Sequence, residues 1–415
     1  MNRAVTVAAV PAAAALAVIA GLYAAYEAGP LAGPPAAHAG GRPGPADAAG
    51  INGFAADYYR IAPGGGNMVF SPLSMYLAAL GLYEGARNET AAQIRGVFGF
   101  PGDPDSRHAP AGRLIHGLAG SRPGADLEIA NSLWLAESFD PREEYLAAVD
   151  RYRFHAESLD LAADGEGAIN GWVSEKTRGR IDRLIPPGIL DDETAAVIVN
   201  AIYFDGRWLV PFPADMTRPD RFEAGDGSPV RAEFMGVVSE FGLAESDGAR
   251  VLGIPYGDRA TSMLVVLPDR DTGLDALRGR ITAGMIAGWN ANMTATVLQA
   301  LIPRFTVETE HDLAELLPEL GMTDAFDRTA ADLSGMADIV WGGPPYVDDA
   351  LHRAFIDVSE EGTEAAAATA FAADWTSGPP VYLGEHFTAD RPFIFLVQDD
   401  ASGAILFMGQ VTDPS

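Results

Sequence analysis

Two spacings of apolar residues alternate along the chain. Apolar positions recurring every three to four residues predict helices at 51–61, 72–82, 91–98, 141–152, 168–179, 274–292 and 312–320. Short alternating or unbroken apolar runs predict strands at 67–71, 131–135, 195–204, 230–234, 240–244, 251–256, 262–268, 297–305, 353–358 and 392–397. The last of these returns as a second strand after the turn Asp400-Ala401-Ser402-Gly403. Local signals agree with the periodicity. Ser71 can cap a helix whose first position is Pro72, and Gly179 and Gly321 stand where helices end. The run at 195–204 is apolar at both parities, as in a strand covered on both faces. Residues 101–124 mix glycine, proline and arginine and are read as a connection.

One stretch fits neither spacing. Glu360-Glu361-Gly362-Thr363-Glu364-Ala365-Ala366-Ala367-Ala368-Thr369 separates the strands predicted at 353–358 and 392–397. Alanine favours helices over strands, but a helix of this composition has no apolar stripe to bury. As a strand, Thr363, Ala365, Ala367, Thr369 and Phe371 share one face, and most are small enough to enter between two existing strands. No proline precedes Pro379, so every amide can donate to a ladder. Gly362 can act as the pivot. Composition alone favours another reading, an alanine-rich flexible linker.

Bulk properties narrow the rest. The 415 residues are 48% hydrophobic, enough for a sizeable core. There is no cysteine, which excludes disulfides, thiolate metal sites and cysteine nucleophiles. The net charge is −29, so nucleic acid and anionic membrane surfaces are not expected partners. Lys176 is the single lysine. Arg3 precedes a charge-free run at 4–26, which reads as a secretory signal or signal anchor over 1–27. Ala37-His38-Ala39 is a candidate cleavage site. A Gly/Pro/Ala-rich spacer over 28–50 then leads to one folded body over 51–415. With Arg3 left inside, the body faces outward. The expected location is extracellular or cell-surface, with membrane contact only through the N-terminus. No Gly-x-Ser-x-Gly elbow, His-Glu-x-x-His motif or phosphate loop occurs, and the seven histidines are scattered.

Several blocks together carry a resemblance. They are Asn67-Met68-Val69-Phe70-Ser71-Pro72-Leu73-Ser74, INGWVSEKTRGRI at 169–181, VNAIYFDGRW at 199–208, VLGIPYGDRATSMLVVLPD at 251–269, DLAELLPELGMTDAF at 312–326, ADLSGM at 331–336 and RPFIFLVQDDASGAILFMGQV at 391–411. In order and spacing they resemble the serpin family over about 51–411, and 360–369 resembles the hinge of its reactive-centre loop in the inhibitory form. The resemblance implies an α+β fold of three β-sheets with about eight or nine helices and an exposed reactive-centre loop. It implies a suicide inhibitor of serine proteases rather than an enzyme, with the target protease as covalent partner, a monomeric state, no cofactor and no metal. The protease cleaves the loop, and the freed hinge inserts into the main sheet while carrying the acyl-enzyme along. An insert of roughly a dozen residues moves its end by ~40 Å. At ~1 kcal/mol net per new ladder bond it supplies on the order of 10 kcal/mol.

Site residues follow from the same resemblance. Counting fourteen positions from Gly362, as the family does, places the reactive bond between Thr376 and Ser377, with Trp375 as the alternative reactive residue. Thr376 suits an elastase-like or subtilisin-like protease, Trp375 a chymotrypsin-like one and Asp374 an aspartate-specific one. Ser71, Ser74, Asn200 and His352 match a "shutter" cluster that hydrogen-bonds beneath the opening strands. Trp208 and Arg304 match the "breach" where insertion starts, Arg304 pairing with Glu360. Arg107, Arg113 and Arg122 are too sparse for the basic polysaccharide-binding helix of some relatives. The alternatives are a non-inhibitory member acting as carrier, chaperone or storage protein, and an exported hydrolase. Bulky or charged hinge residues would mark the former; Ala365, Ala366, Ala367 and Ala368 are small.

Overall fold

The computed structural model describes residues 43–118, 120–137, 139–192, 194, 196–337, 345–347, 350–363 and 384–415. The α-helical segments among them are α1 (Pro45–Ile61), α2 (Pro72–Gly85), α3 (Asn88–Phe98), α4 (Pro104–Leu118), α5 (Glu143–Asp150), α6 (Glu166–Lys176), α7 (Gly273–Arg278), α8 (Ala283–Ala291) and α9 (Leu313–Leu316). The strands are β1 (Met68–Phe70), β2 (Gly120–Arg122), β3 (Ala125–Ala136), β4 (Phe154–Leu159), β5 (Ala196–Arg207), β6 (Arg218–Glu223), β7 (Pro229–Ser246), β8 (Ala249–Pro255), β9 (Thr261–Pro268), β10 (Thr294–Pro303), β11 (Phe305–Asp312), β12 (Leu351–Ser359), β13 (Gly362–Thr363), β14 (Glu385–Thr388), β15 (Phe393–Asp399) and β16 (Ile405–Val411).

Backbone ladders join these strands into two networks. One has seven strands in the order β11-β12-β13-β5-β3-β2, with β4 on β3. The other has nine, in the order β1-β16-β15-β9-β8-β7-β10-β14, with β6 on β7. β7 is shared within the second. Its first part pairs with β6 and β10, and from Gly242 it pairs with β8. The nine-stranded network therefore divides into two groups joined by β7, and with the seven-stranded sheet these make the three sheets expected. α2 lies at the centre, buried nearly all round, with Ser71 accepting from the Ser74 N–H and Pro72 opening the first turn as its sequence requires.

Several boundaries depart from the periodicity. α1 opens at Pro45, inside the stretch read as spacer, because Asp47 accepts the Gly44 N–H and Ala48 and Ile51 bury against the core. The connection expected at 101–124 contains α4: Arg107, Ala111, Leu114, Ile115 and Leu118 form a buried stripe that Pro110 disguises. The strands expected at 230–234 and 240–244 are one strand, since Gly236, between them, pairs with Leu301 of β10 and lies under its side chain rather than in a turn. The helix expected at 274–292 is two, parted at Gly279, with Thr282 capping the second through the Met285 N–H. β11 reads as polar in sequence; Phe305, Val307 and His311 alternate inward along it.

Arg107 fastens α4 to α2. Its Nε and Nη2 donate to the two Glu84 carboxylate oxygens at 2.8 and 3.3 Å, and the Tyr152 hydroxyl donates to Glu84 at 2.8 Å. Both charged side chains are nearly buried. Arg107→Leu is expected to lower stability by about 3 kcal/mol, because it strands the Glu84 carboxylate in the interior. Arg60→Leu, which breaks a surface pair with Asp57, should cost below about 1 kcal/mol. Thermal melting at neutral pH compares the two.

Candidate functional site

The site is built where β12 turns back into the sheet. β12 alternates cleanly, sending His352, Ala354, Ile356 and Val358 inward against the core, and pairs with β11 along its length. At Glu360-Glu361 the chain reverses. Gly362 and Thr363 then pair with Ser359 and Val358 on one side and with Arg207 and Gly206 on the other. Gly362 has φ +151°, and a Cβ there would strike the Gly206 carbonyl oxygen, so only glycine fits. Thr363 is 2% exposed and its hydroxyl meets the Tyr256 hydroxyl at 2.7 Å.

Trp208 grips this reversal from below. Its Nε1–H donates to the Ser359 carbonyl at 2.9 Å and its backbone N–H to the Glu361 carbonyl at 2.8 Å. The Phe212 N–H donates to the Glu360 carbonyl at 2.9 Å. The indole stacks on Tyr256 with ring centroids 4.6 Å apart. Burial pushes the Tyr256 phenol far up, so it stays protonated and available to Thr363. Above the turn the Arg304 Nε donates to both Glu360 oxygens at 2.9 and 2.8 Å, with a further bond from Nη2. The Thr217 hydroxyl donates to Glu360 at 2.6 Å. Burial pushes the Glu360 carboxyl up, but the Arg304 and Thr217 hydrogen bonds outweigh it and hold it below the usual carboxylate range.

The four residues expected beneath the strands separate into two sets. The Ser71 hydroxyl accepts from the Ser74 N–H at 3.2 Å and donates to the Leu406 carbonyl at 2.6 Å. The Ser71 N–H donates to His352 Nε2 at 3.0 Å, so that nitrogen carries no proton. This serine is fully buried and its hydroxyl is committed to a carbonyl, which is not the arrangement of a nucleophile and its base. Asn200 is not bonded to this group. Its Nδ2 donates to Asn131, and its Oδ1 is buried with no partner. Among the described residues β12 and β5 are joined only through Gly362 and Thr363, which pair with Val358 and Ser359 and with Gly206 and Arg207. Val358 and Gly206 are six positions from His352 and Asn200 on their strands, so no ladder joins the two strands at the level of His352 and Asn200. Ser74, Asn200 and His352 still line one cavity of about 70 Å³ beneath the sheet.

His311 is a member that scattered histidines gave no reason to select. It faces His352 across the β11–β12 ladder, ring centroids 5.9 Å apart, and donates from Nε2 to the Val69 carbonyl at 3.0 Å. Only the pairing of the two strands reveals it. Glu364, Ala365, Ala366, Ala367, Ala368, Thr369, Trp375, Thr376 and Ser377 lie outside the described residues. Arg107, Arg113 and Arg122 each pair with an acidic residue of the body, Glu84, Asp47 and Asp258 respectively.

Two outcomes are expected. Glu360→Lys puts two cations at the turn in place of an ion pair, so the monomer fraction after mild heating should fall, measured by size-exclusion chromatography. Burial, with a lesser contribution from His311, pushes the His352 pKa from 6.5 down to about 3. The folded state therefore binds fewer protons than the unfolded one. The stability that neutral His352 contributes is complete above pH ~6.5 and is lost as pH falls toward ~3, by up to about 1.4 kcal/mol per pH unit. His352→Gln should flatten that part of the melting-temperature profile.

The comparisons with known proteins agree with this geometry. The family model described as Serpin (serine protease inhibitor) matches residues 49–414. An uncharacterized serpin-like protein of Methanosarcina acetivorans is 33% identical over 369 residues, covering 88% of this chain and 85% of its own. The native-state structure of the thermophilic serpin tengpin superposes with a TM-score of 0.79 at 28% identity, covering 88% of this chain and 93% of its own. Human thyroxine-binding globulin gives 0.77 at 25%, covering 89% and 98%. A turn clamped by Trp208 and Arg304, with the sheet reopened by two residues beyond it, is thus set in a fold shared along nearly the whole chain, and the chain belongs to the serpin family.

Proposed function

We propose that this serpin inhibits a serine protease by cleavage of the loop at 364–383 and insertion of its freed hinge into the seven-stranded sheet. The observation that carries the reading is the placement of Gly362 and Thr363. They already hold the first two positions of a strand between β12 and β5, and Thr363 is sealed by Tyr256. Residues that continue this strand alternate between the cavity side and solvent. Were the strand continued by insertion, Ala365, Ala367 and Thr369 would share the face that Thr363 turns inward, and all are small, while Glu364 would take the other face, toward water.

Each further residue inserted closes ladder bonds with β12 and β5, and this free energy moves the acyl-enzyme. The bond attacked is Thr376–Ser377, with Trp375 as the alternative reactive residue, and the target is an elastase-like or subtilisin-like protease. The protein works as a monomer outside the cell or at its surface. No helix among the described residues is long and apolar enough to cross a membrane. A non-inhibitory role as carrier, chaperone or storage protein is the competing reading, and the small residues of the hinge favour inhibition.

The test mixes the protein with an elastase-like and a subtilisin-like protease, followed by a denaturing gel and mass spectrometry of the released C-terminal peptide. A covalent band surviving SDS and a peptide beginning at Ser377 are expected. Cleavage with both enzymes and no complex would overturn the inhibitory reading for these proteases.

A further inference from the structure

The register at the turn sets what the next hinge residue would meet on entering the sheet. Thr363 pairs with Val358 of β12 and with Gly206 of β5, both antiparallel. One position further, Glu364 would stand opposite Asp357 on one side and Asp205 on the other. Asp205 is itself opposite Asp126 of β3. Asp126, Asp205 and Asp357 are all partly exposed, while their neighbours Leu127, Phe204 and Val358 are buried, so the three carboxylates share the solvent face. Insertion would therefore complete a row of acidic residues on four neighbouring strands, each about 4.8 Å from the next. Like charges directly opposite one another work against pairing. Burial pushes the Asp205 carboxyl up, and Asp126 adds to the rise, in spite of Arg178, Arg207 and Arg180 nearby. The row is short of positive charge before Glu364 arrives.

One cation is held against this row from outside the sheet. Arg178 follows α6 and reaches over β3 and β5. Its Nη2 donates to the Asp126 carboxylate, its Nη1 stands 3.8 Å from Asp205, and its guanidinium lies 4.7 Å from the centre of the Tyr203 ring. Tyr203 is two positions from Asp205 on the same face of β5. The backbone at Arg178 has φ +52°, a left-handed conformation that suits glycine and costs an arginine free energy. Gly179, with φ +77°, is the adjacent residue that bears such a conformation without cost. On the far side, Asp357 accepts from the Thr306 hydroxyl at 2.7 Å and has no ion pair among the described residues. The arginine is thus placed, against its own backbone preference, where two of the carboxylates need a counter-charge.

We infer that Arg178 is the counter-ion that admits the acidic hinge to this acidic sheet. It is a positioning residue, acting on the strand that enters rather than on the reactive bond. With Arg178 in place, Asp126 and Asp205 are already paired when Glu364 comes between Asp205 and Asp357. Without it, Glu364 meets an uncompensated carboxylate on each side. The inference rests on the insertion reading above and adds the residue that balances its charge.

The test compares the full chain with Arg178→Gln, Arg178→Gly, Arg178→Lys, Glu364→Gln and the double variant Arg178→Gln with Glu364→Gln. Each is cut in the loop with a subtilisin-like protease at low salt. The urea midpoints of the cut and intact forms are measured, together with the ratio of cut free chain to covalent complex on a denaturing gel. Arg178→Gln and Arg178→Gly are expected to raise that ratio about fivefold, the factor that one like-charge contact carries near the surface. They should also reduce the rise in urea midpoint that follows cutting. Glycine suits the left-handed backbone, so Arg178→Gly separates lost charge from lost folding. Arg178→Lys should stay near the parent, and about 0.5 M sodium chloride should narrow the differences. Glu364→Gln should restore Arg178→Gln to the parent ratio. A defect of Arg178→Gln that persists in the double variant or in high salt would overturn the inference and leave insertion standing. Where no covalent complex forms, the urea midpoints decide the same comparison. A parent midpoint that does not rise on cutting would overturn the insertion reading and the inference with it.

Discussion

The approach of two backbones at Gly362 and Gly206 is the contact on which the upper part of the molecule depends. Neither position tolerates a side chain: a Cβ on Gly362 meets the Gly206 carbonyl, and one on Gly206 meets the rings of Phe204 and Tyr256 within 2.7 Å. With both bare, the chain can reverse at Glu360-Glu361 and slip back between strands rather than lying over them. Thr363 then arrives at Tyr256, and Tyr256 at Trp208.

Charge is used sparingly around that contact. Glu360 is nearly buried and would resist ionisation alone, yet Arg304 and Thr217 keep it a carboxylate. Arg304 is half-exposed, so the pair sits at the boundary of the core, where its geometry restrains the turn more than its Coulomb energy stabilises it. Deeper in the sheet the opposite rule holds. His352 and His311 are kept neutral by burial, and neutrality is what allows His352 to accept the Ser71 N–H.

The acidic composition leaves few cations, and the protein places them where elements must be joined. Arg107 ties α4 to α2, Arg304 ties β10 to the turn after β12, and Arg250 ties β8 to β14. The guanidinium fork suits this use because it reaches two acceptors at once and holds them in a plane.

Periodicity by itself determined the elements whose burial is one-sided or complete. α2 announced itself through Ser71-Pro72 and its apolar residues, β5 through its apolar run, and β12 through alternation. The small residues after Gly362 declared a segment able to pair as a strand. Elements whose stripe is interrupted, such as α4 with Pro110, or whose strand looks polar, such as β11, were hidden because local composition does not say what covers them. Only the tertiary structure decided the membership of the site. His311 joined His352 because β11 pairs with β12 in that register, whereas no ladder among the described residues joins β12 and β5 at the level of His352 and Asn200. Strand order is a property of contacts distant in sequence, and no spacing along the chain encodes which strand lies beside which.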